Sequence, residues 1–292
     1  MSTQKEKEQL AQIQAQIRYQ EKEKYFFEHL KQSGYWPHAG QAPVLKTLRR
    51  NKVKRLFMQC SRNFGKSTTV GIDMAWFAGM FPRQKCYIIA PFRTLAEEIY
   101  IKSYFMHDII PRDWLKDGDA GFSKTELRFN FKNESYIKLD GADNDATVRG
   151  YKPTRLACDE FQDWKEEVWE GMEPNLLAHD ATCLQVGTPP NRPNVYTKQA
   201  DFTKQRMREG KERYLWVRRT IYDNPRIPVE RINELRQGFF ERGEEAVWRR
   251  EYLAEYIPGG ATSVFPMFNE EDHVRPMEWI AAQCKGVNDV YI

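Results

Sequence analysis

The chain has 292 residues, of which 41% are hydrophobic and 29% are charged, and its formal net charge is +4. This composition is typical of a globular protein and excludes a largely disordered one. No apolar run approaches the roughly 20 residues that a transmembrane helix needs, and the polar amino terminus does not resemble a secretory signal. We therefore expect a cytosolic protein that does not contact a membrane, with one large domain or one domain and an appendage.

The order of the predicted elements is that of a three-layer α/β domain preceded by a helix. Residues 2–32 carry two apolar stripes at helical spacing, and this helix is expected to end near Gly34. Strands are predicted at 55–60, 85–90, 154–158, 182–187 and 214–220. Most of these segments are continuously apolar, which is typical of parallel strands covered on both faces. Further helices are predicted at 66–79, 93–109, 163–178 and 228–256.

The segment ELRFNFKNESYIKLD (126–140) differs from the other strands because its apolar residues alternate with polar ones. This pattern predicts an antiparallel hairpin added to a mainly parallel sheet. We divide the chain into an N-terminal helical segment (1–34), an α/β domain (35–256) and a C-terminal piece (257–292). That last piece begins with the linker IPGGATS and ends like the start of a strand.

The cysteines, at positions 60, 86, 158, 183 and 284, form no C-x-x-C pair and have no neighbouring histidine. Four of them lie in or at the ends of predicted strands. We expect reduced, buried thiols rather than a metal or redox site.

FMQCSRNFGKSTT (57–69) is close to the phosphate-binding pattern G-x-x-x-x-G-K-[ST], with Cys60 in place of the first glycine. A strand, a loop and a helix that begins at Lys66 would aim the helix N-terminus at an anion. Lys66 would contact the β- and γ-phosphates, and Ser67 would bind Mg²⁺. The residues expected around the phosphates are Ser61, Arg62, Asn63, Phe64, Gly65, Lys66, Ser67 and Thr68. Because cysteine turns less freely than glycine, a chance GKS in an ordinary loop is the alternative at this point.

TRLACDEF (154–161) is an apolar strand that ends in Asp159 and Glu160. Ligands of parallel sheets lie beyond the carboxyl ends of the strands, so this acidic pair and Lys66 are expected at the same edge. Asp159 would hold magnesium and Glu160 would activate the attacking water; an acidic turn after a buried strand is the alternative. Together the two motifs predict a hydrolase.

Three more residues are candidates for the same site. Thr188 follows the strand in LQVGTPP (184–190) and would sense the γ-phosphate, unless the segment is a simple turn. Arg62 in the phosphate loop and Arg149 in ATVRGYKP would stabilise charge on the leaving phosphoryl group. Structural or surface arginines are the alternative for both.

In these motifs the chain resembles the ATPase domain of the large terminase subunit, the DNA-packaging motor of tailed bacteriophages. It is similar to that family in its variant phosphate loop with an arginine shortly before GKS, in GADNDATVRGYKPTRLACDEFQDW (141–164), and in the coupling motif VGTPP. WPHAGQAPVLKTL (36–48) resembles the family's glutamine motif, in which Gln41 would hydrogen-bond adenine; a buried helix-capping role is the alternative.

The resemblance implies an additional-strand catalytic-glutamate (ASCE) P-loop fold and an Mg²⁺-dependent ATPase that translocates double-stranded DNA into a procapsid. It implies that Arg149 acts on a neighbouring subunit and Arg62 within its own. The implied partners are double-stranded DNA, the portal protein, the small terminase subunit and further copies in a ring, in the host cytoplasm and transiently on the procapsid. Large terminases also carry an RNase H-type nuclease domain. Asp289 alone cannot form its two-metal site, so we expect no nuclease activity in this chain.

Two basic segments, LKTLRRNKVKR (45–55) and KQRMREGKERYLWVRR (204–219), are candidates for binding the DNA backbone. A solvated face, or contact with the portal or a neighbouring subunit, would explain them equally well. Two rival functions are a superfamily 2 helicase-like ATPase and a non-catalytic, nucleotide-gated assembly protein. A helicase needs a second RecA-like domain, for which the residues after 220 leave no room.

Overall fold

An eight-stranded sheet forms the centre of the computed structural model, which describes residues 4–143 and 148–257. The strands are β1 (Arg55–Cys60), β2 (Lys85–Ala90), β3 (Phe122–Ser123), β4 (Arg128–Asn130), β5 (Tyr136–Gly141), β6 (Arg155–Cys158), β7 (Thr182–Gly187) and β8 (Tyr214–Arg219). They lie in the order β3-β4-β5-β2-β6-β7-β1-β8. The pairs β3–β4 and β4–β5 are antiparallel and the other neighbours are parallel. The predicted α/β fold, with a mainly parallel sheet and an added hairpin, is confirmed.

Helices cover both faces of this sheet. They are α1 (Gln4–Gln32), α2 (Ala42–Arg49), α3 (Lys66–Met80), α4 (Arg93–Glu97), α5 (Phe105–Ile109), α6 (Glu166–Ala178), α7 (Val195–Arg208), α8 (Val229–Glu241) and α9 (Glu245–Leu253). A π-helical turn spans Glu98–Lys102. Among the described residues, no helix is both long enough and apolar enough to cross a membrane.

Two segments that were each predicted to form one continuous helix are interrupted in the structure. The segment 93–109 consists of α4, the π turn and α5, because Tyr104 has a left-handed backbone with a φ of +59°. The segment 228–256 consists of α8 and α9, separated at Gly243, whose φ is +69°. A left-handed residue cannot continue a right-handed helix, so each helix ends there.

Two helices, α2 and α7, were not predicted. Pro43 lies in the first turn of α2, where its missing N–H costs no hydrogen bond. Asn194 caps α7 by accepting a hydrogen bond from the Tyr196 N–H (3.0 Å), and the Thr197 hydroxyl accepts one from the Asn194 N–H (3.0 Å). Since α7 lies largely on a polar stretch, its apolar periodicity is weak and the cap is the stronger signal.

The two faces of the sheet bury separate apolar cores. On one face, Met58 of β1 packs with α3 and with Phe26 and Leu30 from the end of α1. On the other face, Phe57 of β1 packs with aromatic residues of α6 and α7. A fully buried ion pair joins a helix to the sheet: both nitrogens Nε and Nη2 of Arg155 on β6 donate to Asp73 of α3, at 2.6 and 2.8 Å.

The four described cysteines are buried, free thiols, as predicted; Cys284 lies outside the described residues. Burial raises the pKa of the Cys60 thiol to about 12, so this thiol stays protonated at neutral pH. The linker and strand predicted within 257–292 lie outside the described residues, apart from Ile257. The domain boundaries remain predictions.

Candidate functional site

Three strand ends come together at one edge of the sheet. The strand β7 lies between β1 and β6 and pairs in parallel with both. The phosphate loop after β1, Thr188 after β7 and Asp159 after β6 therefore lie at the same edge, as the strand pattern predicts.

The loop 61–65 turns sharply into α3. Gly65 has a φ of +100°, and a Cβ atom there would lie 2.7 Å from the Gln41 Nε2. Phe64 is fully buried, whereas Asn63 is exposed and its carbonyl accepts a hydrogen bond from the Asn224 Nδ2 (2.7 Å). Contacts of the Phe64 side chain and of the Asn63 carbonyl thus hold the loop in place. The backbone N–H groups of Lys66, Ser67 and Thr68, in the first turn of α3, have no acceptor within the helix and are available to an anion.

Two other loop residues have their backbone N–H groups engaged within the protein. The Ser61 N–H donates to the Arg219 carbonyl (2.9 Å), and the Arg62 N–H donates to the Glu251 carbonyl (2.8 Å). We infer that a phosphate would be cradled mainly by N–H groups from Asn63 onward.

A histidine that the sequence analysis did not single out supports the loop. The His38 Nδ1 accepts from the Gly40 N–H (3.2 Å), so its Nε2 carries the proton and donates to the Phe64 carbonyl (2.9 Å). Burial lowers the pKa of His38 and favours this neutral form. The only sequence signal for this role is the position of His38 within the glutamine motif, three residues before Gln41.

Gln41 is almost completely buried and bridges the same two segments. Its Nε2 donates to the Gly65 carbonyl (2.9 Å), and its Oε1 accepts from the His38 N–H (3.1 Å). Its backbone stands at the start of α2, but its side chain makes no capping hydrogen bond, so the capping alternative is wrong. Contact with adenine stays a prediction; beyond these two bonds the amide keeps one N–H donor and one acceptor lone pair.

The Lys66 side chain contacts one residue that follows β7 and one that follows β6. Its Nζ donates to the Thr188 Oγ1 (3.1 Å) and lies 3.8 Å from the Glu160 Oε1. The lysine is 7% exposed, so its charge is stabilised mainly by these neighbours. The structure therefore brings together three residues that are separated by up to 122 positions along the chain.

Gln162, which lies in the quoted segment 141–164 but was not singled out there, connects Glu160 and Thr188. Its Nε2 donates to the Glu160 Oε2 (2.8 Å), and its Oε1 accepts from the Thr188 N–H (3.1 Å). With Lys66, these groups form a closed polar ring. Glu160 itself has a left-handed backbone with a φ of +45°, a strained conformation of the kind that is frequent at functional sites.

Asp159 is fully buried beside the start of α3. Its Oδ2 accepts from the Ser67 Oγ (2.9 Å) and from the Tyr100 hydroxyl (2.6 Å), and its Oδ1 accepts from the Glu160 N–H (3.0 Å). Burial is the main cause that raises the pKa of Asp159, and the charge of Glu160 adds to it.

The Ser67 and Asp159 oxygens suit magnesium by their chemistry, since Mg²⁺ prefers hard oxygen ligands. Among the described residues there is no group of three or more His, Cys, Asp or Glu side chains that could hold a metal by itself. A site with two protein oxygens fits the way Mg²⁺ is usually held, with phosphate oxygens and water completing the shell.

The two candidate arginines have other partners. The Arg62 side chain is 67% exposed and its Nε donates to the Glu251 Oε2 of α9 (2.5 Å). Arg149 is exposed and its side chain lies against Gly171 of α6, where a Cβ atom would come within 2.7 Å of the Arg149 Nε. The Asn175 Nδ2 donates to the Arg149 carbonyl (2.7 Å). Their catalytic roles remain predictions.

Several side chains of the two basic segments bind within the protein. Lys54 and Arg213, one from each segment, both form ion pairs with Asp180, just before β7. Arg218 binds Glu255, at 3.0 Å. Because Lys54 and Arg213 precede β1 and β8, the segments meet at the sheet edge opposite the phosphate loop. A DNA-binding role for the segments stays a prediction.

No family model matches this sequence, and no curated protein is significantly similar to it. The structure, in contrast, is similar to solved large terminases. The Thermus phage P74-26 large terminase ATPase domain matches with a TM-score of 0.57 and 22% identity, over 80% of this chain and 98% of that one. The large terminase from the HK97 bacteriophage matches with a TM-score of 0.56 and 11% identity, over 70% of this chain and 47% of that one.

The large terminase from another, thermophilic bacteriophage, solved in complex with ADP, has a TM-score of 0.61 and 14% identity. The match covers 82% of this chain and 58% of that protein, so this chain spans little more than half of its length. These similarities show that the chain has the P-loop fold of the large terminase ATPase domain, as the resemblance in its motifs implies.

Proposed function

We propose that this chain is the ATPase motor domain of a viral large terminase, which couples Mg²⁺-dependent ATP hydrolysis to translocation of double-stranded DNA into a procapsid. The observation that carries the proposal is the position of the Lys66 Nζ, 3.1 Å from the Thr188 Oγ1 and 3.8 Å from the Glu160 Oε1. A lysine, an acid and a hydroxyl from three neighbouring strand ends thus surround one point in front of a helix N-terminus. Bound ADP in a protein of the same fold supports the choice of nucleotide.

Each residue of this group has a role in the proposal. A γ-phosphate would attract Lys66 away from Thr188 and Glu160, because a phosphate carries more charge than either partner. Glu160, now without its cationic partner, would accept a proton from the attacking water. The freed Thr188 hydroxyl would report the presence of the phosphate to β7.

Ser67 and Asp159 would hold Mg²⁺, which when bound neutralises charge on the β- and γ-phosphates. Arg62 would have to leave Glu251 to reach the phosphates of its own subunit, and Arg149 would act on a neighbouring subunit of a ring. The portal protein and the small terminase subunit are the further proposed partners. Translocation along DNA of any sequence needs contacts to the backbone, for which the exposed basic residues of 45–55 and 204–219 are candidates.

The test is the variant Glu160→Gln, which keeps the size of the side chain and removes its basicity. We expect phosphate release to fall at least about 100-fold, the usual contribution of a general base, while ATP binding is retained. Phosphate release is measured by a coupled absorbance assay and binding by titration with a fluorescent ATP analogue. The matched control is Glu167→Gln on the exposed side of α6, which should behave like the wild type.

The other outcomes decide between the alternatives. Wild-type turnover in Glu160→Gln would show that another residue is the base. If the wild type binds ATP without steady phosphate release under conditions of assembly, with and without DNA, the protein is a nucleotide-gated assembly protein. Separation of forked DNA strands would indicate a helicase.

A further inference from the structure

Tyr100 is a fully buried tyrosine that none of the sequence motifs includes. It lies on the π-helical turn Glu98–Lys102, between α4 and α5. Such turns contain one more residue than an α-helical turn and are frequent at functional sites. Here the turn places the tyrosine hydroxyl 2.6 Å from the Asp159 Oδ2.

The carboxylate of Asp159 is held by donors from three parts of the chain. Its Oδ2 has two lone pairs in the carboxylate plane, and the hydroxyls of Ser67 and Tyr100 both donate to this oxygen. Its Oδ1 accepts the Glu160 N–H. An ionised carboxylate oxygen can only accept a hydrogen bond, so the Tyr100 hydroxyl is the donor in this contact.

The direction of the Ser67 hydroxyl depends on this arrangement. A serine hydroxyl has one proton and two lone pairs, and it rotates to suit its partners. While its proton points at the Asp159 Oδ2, its lone pairs point elsewhere and are available to a cation. The terminal torsion of an aspartate is only weakly restrained by itself, so each donor to the carboxylate adds to the restraint. Tyr100 is the donor to Oδ2 besides Ser67.

We propose that Tyr100 is a positioning residue for the cation site: its hydroxyl fixes the rotation of the Asp159 carboxylate, which in turn keeps the lone pairs of Ser67 directed at Mg²⁺. This inference rests on the proposed function, because it assumes that Ser67 and Asp159 bind the cation of a magnesium–nucleotide complex. Its consequence is that Tyr100 contributes to the magnesium-dependent part of nucleotide affinity and not to the part that the phosphate loop supplies alone.

The experiment compares the affinity for ADP in Mg²⁺ and in EDTA, by fluorescent-nucleotide titration of wild type and Tyr100→Phe. We expect the affinity in EDTA to change by less than about twofold, while the gain on adding Mg²⁺ falls about tenfold, as for the loss of one hydrogen bond to a charged group. Tyr104→Phe is the matched control, because that tyrosine is 69% exposed and lies four residues further along the same segment. It should keep the full gain.

The variant Ser67→Ala separates failure of the inference from failure of the proposed function. If Ser67→Ala loses the magnesium-dependent gain and Tyr100→Phe keeps it, the role of Tyr100 is wrong and the cation site stands. If Ser67→Ala also keeps the gain, the cation site itself is misplaced. An equal loss of affinity in Mg²⁺ and in EDTA, or loss of all binding, would mean that Tyr100 supports the whole site, and would overturn the inference.

Discussion

Gly65 shows how far a single backbone conformation determines the phosphate loop. Its φ is +100°, which strains any residue with a Cβ atom, and the Cβ position is blocked by the Gln41 amide at 2.7 Å. Gly65→Ala should therefore displace the loop and weaken ADP binding at least about tenfold, because the strain of a left-handed alanine adds to the clash.

Gly210 provides the matched control for that prediction. Its φ is +73°, but no atom lies within 4 Å of its Cβ position. Gly210→Ala should cost about 1 kcal/mol of folding free energy and leave ADP affinity unchanged. Equal affinity losses in the two variants would show that the backbone strain is spread through the domain and that the contact with Gln41 is unimportant.

His38 makes the stability of this region depend on pH. Burial lowers its pKa in the folded protein, with Asp223 and Arg226 nearby carrying opposite charges, so the unfolded chain binds the proton more readily. Its stabilising contribution is complete above about pH 6.5, the ordinary pKa of histidine, and is lost as the pH falls below that value.

The prediction is that the difference in unfolding free energy between wild type and His38→Gln shrinks as the pH falls from about 8 to about 5. Urea denaturation at each pH measures it. Because the half-buried His107 also has a lowered pKa, the quantity to compare is the difference between variants rather than the pH slope of the wild type. The exposed His179→Gln is the control substitution. A difference for His38→Gln that does not change with pH would contradict the prediction.

At the scale of secondary-structure elements, the ion pair between Asp73 and Arg155 joins α3 to β6 and so joins the phosphate-loop helix to the strand that carries Asp159. Both side chains are 0% exposed, and the guanidinium also lies over the Phe77 ring at 4.4 Å. Asp73→Ala leaves a buried, unpaired guanidinium and should cost about 3–5 kcal/mol of unfolding free energy.

A double variant distinguishes the contribution of the two charges to stability from that of the side-chain packing. Asp73→Leu with Arg155→Met removes both charges and should recover most of that loss, because a buried ion pair is often replaceable by apolar residues of similar size. Breaking the exposed pair Lys198–Glu166 by Glu166→Ala should cost less than about 1 kcal/mol. Urea denaturation measures all three variants; a double variant as unstable as Asp73→Ala would show that the pair is needed for its geometry.

At the scale of the whole molecule, the proposed function requires more than one copy of the chain. Arg149 is exposed, with its side chain against Gly171 of α6, and in the proposed function it would complete the site of a neighbour in a ring. Arg149→Ala and Glu160→Gln should each be inactive under conditions of assembly. A one-to-one mixture should recover roughly one quarter of wild-type turnover, since in a head-to-tail ring about one interface in four pairs an intact Glu160 with an intact neighbouring Arg149.

Phosphate release over a series of mixing ratios measures this recovery. Without recovery at any ratio, Arg149 acts within its own subunit or only supports the fold against Gly171. The control is a mixture of Arg149→Ala with wild type, in which turnover should decline in proportion to the intact interfaces.

The sequence by itself determined the fold class, most of the strands and the main residues of the candidate site. Buried parallel strands have short, apolar sequences. Asp159 and Thr188 each follow such a strand directly, and Lys66 follows β1 after the loop 61–65. Their meeting at one sheet edge then follows from the geometry of parallel sheets. Local signals of this kind can be recognised in a single sequence because each depends on residues within a few positions of one another.

The roles of His38, Tyr100 and Gln162 were decided only by the tertiary structure. Each makes its defining hydrogen bond to a distant segment, such as the Tyr100 hydroxyl to Asp159, 59 positions away. Nothing in the composition of the π turn or of the segment before α2 indicates such a bond, because a buried tyrosine or histidine has the same local pattern in an ordinary core. The partners of a polar side chain depend on how the elements pack, and that packing depends on contacts between segments that are far apart in the sequence.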